Sequence, residues 1–300
     1  MTGIVADSCG SSWSPIVAAG PQSALSGVLA GFVFTGIVVV LSTKPDSHGS
    51  TIERHKQRSY ALQLFTSAFI TLALDSYFTS ITAGELSCNR ANVESALSGG
   101  VLGIGAIMLL AGLGWLLVTY SERTEDLRTI LIYVLGGVWA LIIAMLAISA
   151  MDIGQAMLKH RGQGFVDIVP WAIAALMTVA VIVRALASRR LSDGAIETAV
   201  RRAALAALAV GLLSALLTGI ASATPTNWWS HPPSGVVDIV IVLSMAIPAI
   251  ALIASVPPAV AAVSDRRGSS ATGEPKRQRE PQPGGGRPTG SGPTPGVSAD

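Results

Sequence analysis

One acidic residue lies deep inside an apolar stretch of the chain. Asp75 stands in TLALDSYFTS, within an apolar segment of about residues 60–84. If this segment crosses a membrane, an ionised carboxylate there is costly, so Asp75 must face protein or water, or carry a proton. Acids inside membranes often mark ion pathways and proton relays. Asp75 is therefore the first residue to consider for chemistry.

Hydroxyl side chains share a helix face with Asp75. The candidate polar or ion site comprises Ser67, Thr71, Asp75 and Thr79, which follow one another at four-residue intervals, a spacing that puts them on one face of a helix. Ser76 and Thr82 flank this stripe. Two interpretations remain open: a polar seam for a proton, a cation or a polar substrate, and a hydrogen-bonded contact between helices with Asp75 neutral. The contact is favoured, because the sequence offers no second buried charge as a partner.

The chain has two cysteines, Cys9 and Cys88. The topology predicted below puts both outside the cell, where disulfides can form. We expect a Cys9–Cys88 disulfide that ties the N-terminal segment to the bundle, and two free thiols are the alternative.

Three further acids and two glycine pairs have simple structural interpretations. Glu94, Asp167 and Asp238 stand where predicted helices begin, so helix capping explains them, with a cation-collecting vestibule as the alternative. The pairs Gly27/Gly31 and Gly99/Gly103 have GxxxG spacing, which favours close helix packing. We expect these packing contacts within one chain rather than at a dimer face.

The elements that carry these residues are predicted from composition and apolar runs. Only 13% of the 300 residues are charged and 50% are hydrophobic, against about 25% charged residues in soluble domains. Seven apolar segments are long enough to cross a bilayer as helices: about 23–42, 60–84, 95–120, 127–150, 166–187, 198–223 and 236–263. The predicted fold is an all-α, polytopic membrane bundle of seven transmembrane helices.

Basic residues predict the orientation of the bundle. With the N-terminus outside and the C-terminus cytoplasmic, only Arg90, Lys159 and Arg161 of the 20 Lys and Arg residues lie outside. Such asymmetry is typical of the cytoplasmic excess of basic residues in membrane proteins. Abundant Ala, Gly and Arg are compatible with a bacterial genome rich in G and C, and the expected location is the inner cell membrane.

The chain divides into three predicted parts. Residues 1–22 form a short extracytoplasmic segment and residues 23–263 the transmembrane domain. Residues 264–300 are rich in Gly, Pro, Ser and charge, a composition typical of disorder. We expect a disordered, basic cytoplasmic tail that can contact anionic lipids.

Catalytic motifs are missing from the sequence. There is no HExxH, GxSxG, Walker A or GxGxxG pattern, which argues against zinc enzymes, serine hydrolases and nucleotide-binding folds. We therefore predict a non-enzymatic membrane protein, a complex subunit or scaffold, without a cofactor or a metal. The expected partners are the lipid bilayer and other membrane proteins, not nucleic acid. A small transporter or channel that uses the Asp75 stripe is the alternative.

Overall fold

The computed structural model describes residues 14–42, 52–120, 124–157, 164–188, 192–230 and 234–263. This part of the chain forms seven α-helices and a short 3-10 helix, and contains no strand. The helices are α1 (Pro15–Ser42), α2 (Ile52–Thr82), α3 (Cys88–Tyr120), α4 (Thr124–Met157), α5 (Gly164–Ser188), α6 (Asp193–Ala223) and α7 (Ser234–Val263), with the 3-10 helix η1 (Thr226–Ser230) between α6 and α7.

The predicted all-α class and the count of seven long apolar helices are confirmed. All seven helices are long and apolar enough to cross a membrane, as expected of a multi-pass membrane protein. Residues 1–13 and the tail 264–300 lie outside the described residues, so the predictions made for them remain predictions.

Several helices begin earlier than their apolar segments. α1 begins at Pro15 rather than near residue 23, and α3 begins at Cys88 rather than near residue 95. Proline is favoured in the first turn of a helix, where its missing N–H costs nothing. In α3 the added turns carry polar residues that find hydrogen-bond partners on other helices. Hydropathy alone does not detect such turns.

Helix α3 lies at the centre of the bundle. It packs against α1, α2, α4, α6 and α7, and against η1. In contrast, among the described elements α1 packs only on α2 and α3, and α5 only on α4 and α7. The central position of α3 allows its side chains to bond with several helices at once.

Glycines on α3 permit the close approach of its neighbours. A Cβ atom built on Gly112 would lie 2.8 Å from the Phe65 ring of α2, and one on Gly103 would lie 2.8 Å from Ile142 of α4. A Cβ on Gly100 would collide with the ring of Pro248 on α7. Each of these glycines therefore accommodates a bulky side chain of a different neighbouring helix.

The GxxxG pairs predicted from the sequence are not the units of contact. In the described part of the chain, no atom of a neighbouring helix lies within 4 Å of a Cβ built on Gly31 or on Gly99. Their partners Gly27 and Gly103 do face other helices, close to Ser76 and Ile142 respectively. Close helix contacts in the bundle therefore occur at individual glycines, and not at both glycines of a GxxxG pair.

Large apolar side chains cover the outside of the bundle as well as its interior. Phe32, Leu176 and Ile250 are 67%, 69% and 65% exposed. A water-soluble monomer rarely exposes apolar surface on this scale. Such an apolar outer surface is suited to contact with lipid rather than with water.

Candidate functional site

Asp75 is completely buried, and its two carboxylate oxygens accept hydrogen bonds from two different helices. Ser98 Oγ on α3 donates to Asp75 Oδ1 at 2.8 Å, and Ser26 Oγ on α1 donates to Oδ2. Ser98 in turn accepts a 2.8 Å hydrogen bond from Gln22 Nε2 on α1. Asp75 therefore joins three helices through neutral polar side chains.

Hydroxyl groups also join α1 directly to α2 near Asp75. Ser23 Oγ donates to the Ser76 carbonyl at 2.8 Å, and Ser76 Oγ donates to the Ser23 carbonyl at 3.0 Å. Ser23 Oγ also lies 2.8 Å from Ser80 Oγ. These bonds fix α1, a helix with few neighbours, at the level of Asp75.

The other members of the predicted stripe are buried, but their hydroxyls bond to their own helix. Ser67 donates to the Leu64 carbonyl at 2.9 Å, and Thr71 donates to the Ser67 carbonyl at 2.9 Å. Thr79 donates to the carbonyl of Asp75 at 2.7 Å. The structure thus brings the four residues onto one buried face. Of their side chains, that of Asp75 forms the hydrogen bonds to other helices, α1 and α3.

Glu94 is a second completely buried carboxylate, which the sequence analysis had interpreted as a helix cap. Its Oε1 accepts a 2.8 Å hydrogen bond from Ser222 Oγ on α6, and its Oε2 accepts one of 3.1 Å from Thr82 Oγ1 on α2. Because α3 begins six residues earlier, at Cys88, the prediction that Glu94 caps the helix is wrong. Glu94 instead joins α2, α3 and α6. The premise that Asp75 has no buried acidic companion is also wrong.

Helix α6 adds a row of hydroxyls that faces α2 and α3. Ser214 and Thr218 are both 2% exposed, and Ser222 follows them at the same four-residue spacing. One turn earlier, a Cβ built on Gly211 would lie 3.3 Å from Thr71 Cγ2 on α2. The row therefore runs beside the α2 stripe, from the level of Thr71 to that of Glu94.

An ion pair lies next to Glu94 at the end of the bundle where α2 turns into α3. Arg90 Nε donates to Glu85 Oε2 at 2.5 Å, and Nη2 donates to the same oxygen. The two side chains are only 12% and 6% exposed. Arg90 Nη1 also lies 3.2 Å from the carbonyls of Ser222 and Thr224. Arg90 therefore holds the end of α6 against the α2–α3 turn.

A further bond attaches the 3-10 helix η1 to this end. Asn89 Nδ2 donates to the Trp229 carbonyl at 2.7 Å, and the Trp229 ring packs on Val93, Leu97 and Ala221. We refer to Glu85, Asn89, Arg90, Glu94 and Ser222 as the end cluster. Asn89, Arg90 and Glu94 lie in the first two turns of α3, and their spacing was a signal that polar residues continue along one side of this helix.

Other predicted residues have a simpler outcome. Asp167 lies in the first turn of α5 and Asp238 in the second turn of α7, but their side chains lie outside the described part. Cys88 is the first residue of α3, whereas Cys9 lies outside the described residues, so the disulfide remains a prediction. Within the described ranges, no three His, Cys, Asp or Glu side chains are grouped as metal ligands would be.

Comparison with known proteins gives no relative. The chain matches no protein-family model, no curated protein and no solved structure at a significant level.

Proposed function

We propose that this chain is a non-enzymatic, multi-pass protein of the inner cell membrane, with its N-terminus outside, which serves as a subunit or scaffold of a membrane complex. The observation that carries the proposal is the state of Asp75. The one acid that the sequence offered for transport is 0% exposed, and both its oxygens accept serine hydroxyls. A group so enclosed acts as a contact between helices.

The interior beyond the polar stripe supports the same proposal. Past Ser67, towards the start of α2, the buried side chains of that helix are Leu64, Phe65, Ala61 and Tyr60. The Tyr60 ring meets the Trp115 ring of α3 edge to face at 5.2 Å. Trp115 Nε1 donates to the Pro258 carbonyl on α7 at 3.1 Å. Apolar and aromatic side chains therefore fill this half of the α2–α3 interface, which supports a scaffold over an ion path.

The alternative function is a small transporter or channel that uses the Asp75 stripe. The observation that favours it is the second buried carboxylate, Glu94, since a relay of acids is typical of ion pathways.

Flux measurements on the reconstituted protein separate the two functions. Proton and K⁺ flux would be measured in proteoliposomes under an imposed membrane potential, for the wild type and for Asp75→Asn. A scaffold gives no flux above that of empty liposomes in either case. A wild-type flux that Asp75→Asn abolishes, while the variant stays folded, would reject the scaffold in favour of the transporter.

A further inference from the structure

Helix α7 has one face that no other described helix covers. Ile239, Leu243 and Ile250 are exposed on it, and Ala246 lies between them at the same helical spacing. Within the described part of the chain, α7 is surrounded by α6, α3, α4 and α5, each of which contacts the next, whereas α5 and α6 do not contact each other. The uncovered face of α7 therefore lies between α5 and α6. We refer to this face and its two flanking helices as the α5–α6 groove.

The floor of the groove has the length of one lipid leaflet. From Leu243 to Ile253 the helix rises by about 15 Å, which is half the usual thickness of the hydrocarbon core. Beyond this stretch the face is closed, because Pro257, which lies seven residues after Ile250 and on the same face, is buried. The groove is thus open towards the middle of the membrane and closed near the end of the bundle where α5 leads into α6.

Two arginines lie near this closed end. Arg184 stands one turn before the last residue of α5, and Arg202 stands in the third turn of α6. Both lie inside spans that are long and apolar enough to cross a membrane. Their side chains are exposed, and neither forms an ion pair with a described residue. Because an unpaired cation beside lipid tails is costly, such arginines extend towards headgroups that carry negative charge.

Contacts in the bundle place Arg202 on the groove side of α6. Gly211 of α6 faces α2. Among the described residues, α3 contacts both α2 and α7, which do not contact each other, so α2 and α7 lie on opposite flanks of α6. Glu197 and Arg201, which are four residues apart, share the α2 flank with Gly211. Arg202 falls on the other flank, which borders the groove.

Arg184 borders the same groove from α5. Because α-helices are right-handed and successive helices cross the membrane in opposite directions, the order of neighbours around α6 and α7 turns the Arg184 flank of α5 towards α7 and away from α4. Helical side chains lean towards the N-terminus of their own helix. Arg184 therefore leans away from the end of the bundle and Arg202 leans towards it, so the two approach a common level. The four-residue step from Ser188 to Ser192 keeps the ends of the two helices within about 14 Å.

We propose that the α5–α6 groove binds an anionic phospholipid of the leaflet at this end of the bundle. Its phosphate lies between Arg184 and Arg202, since a guanidinium group donates paired N–H bonds to phosphate oxygens. Its acyl chains lie on the apolar floor that α7 provides. Glu197 lies with Arg201 on the other flank of α6 and does not compete for this phosphate. The site goes beyond the scaffold role, because it requires a bundle that crosses a membrane but neither a particular orientation nor a partner protein.

Native mass spectrometry of the full-length protein in detergent tests this site. The two probes are phosphatidylglycerol, which is anionic, and phosphatidylcholine with the same acyl chains, which has no net charge. We expect phosphatidylglycerol to bind more tightly than phosphatidylcholine. Its affinity should fall about fivefold in Arg184→Gln and in Arg202→Gln, and about 25-fold in the double variant, as the loss of one and two cations beside an anionic lipid requires.

Arg201→Gln is the matched control. It removes the same charge one residue away, on the α2 flank of α6, and should leave the affinity for phosphatidylglycerol unchanged. Equal affinities of the wild type for the two lipids, or an equal loss in Arg201→Gln and Arg202→Gln, would overturn the proposal.

A second variant tests the floor of the groove rather than its charges. Ala246→Phe places a ring where the acyl chains lie and keeps every arginine, so it should also weaken the binding of phosphatidylglycerol. An unchanged affinity would overturn the groove, because charge alone would then hold the lipid. The proteoliposome assay is separate from this test: a flux there rejects the scaffold and leaves the lipid site standing.

Discussion

Ser98 on α3 donates a 2.8 Å hydrogen bond to Asp75 on α2, and Gln22 on α1 donates to the same Ser98 at 2.8 Å. A single serine thus links the one deeply placed aspartate to a helix that otherwise has few neighbours. In a membrane, where lipid tails are as apolar as leucine, such polar contacts and close packing hold helices together.

Replacing Asp75 with Asn should lower the free energy of unfolding by about 1–2 kcal/mol. The N–H group of the Asn amide would face one of the two serine hydroxyls that donate to Asp75, so that one of these hydrogen bonds is lost. Unfolding in mixed micelles, followed by circular dichroism during titration with a denaturing detergent, measures this loss. Ser98→Ala should cost about 1 kcal/mol. In the double variant the two losses should be less than additive. Simple additivity would contradict the hydrogen bond.

Gly100→Ala should destabilise the bundle by about 1–3 kcal/mol, the usual cost of overpacking a tight interior. The added methyl group would collide with Pro248. Gly99→Ala is the matched control, since no atom of a neighbouring helix among the described residues lies within 4 Å of its added Cβ, and it should be neutral or slightly stabilising. The same unfolding assay measures both, and equal losses for the two alanines would refute the α3–α7 contact.

Arg90→Gln should be the most harmful of these substitutions, at about 3–5 kcal/mol, because it leaves the buried Glu85 carboxylate without its cation. The double variant Glu85→Gln/Arg90→Gln should recover much of that loss. A thermal melt in detergent, read by fluorescence or circular dichroism, compares the three proteins. A loss for Arg90→Gln of only about 1 kcal/mol or less, as for an exposed ion pair, would count against a buried end cluster.

A Cys9–Cys88 disulfide predicts that no thiol reacts in the unreduced protein, even when it is unfolded. Two thiols should react after reduction. Mass spectrometry of maleimide-treated protein counts them directly. Finding two reactive thiols before reduction would remove the disulfide.

The stripe around Asp75 could be predicted from sequence because four-residue spacing is a local property of one helix. Glu94 could not be placed in the same way. Its burial depends on two turns of α3 that lie before the apolar segment, and on Ser222, which is 128 residues away. Hydropathy detects the lipid-facing part of a helix, and polar turns that bond to other helices fall outside it. Arg90, Glu94 and Ser98 do share four-residue spacing, and this was the available signal.

The partners of α3 were also beyond the reach of sequence analysis. Glycine spacing correctly indicated close packing, yet Gly99 of the predicted pair faces open space while its neighbour Gly100 meets Pro248. Which glycine is in contact depends on the rotation of α3 relative to α7. Helix periodicity limits that rotation only when a polar face is present, and α3 is apolar on most sides.

Labelling of single cysteines tests the membrane topology, on which every other claim depends. In a Cys9→Ser/Cys88→Ser background, Leu86→Cys, Ser192→Cys and Leu212→Cys would be treated with a membrane-impermeant maleimide, with all three sites exposed in the structure. We predict labelling of Leu86→Cys on intact cells, labelling of Ser192→Cys only after the cells are opened, and none of Leu212→Cys in either case. Rapid labelling of Leu212→Cys in native membranes, or labelling of Leu86→Cys and Ser192→Cys from the same side, would contradict the seven-helix membrane bundle.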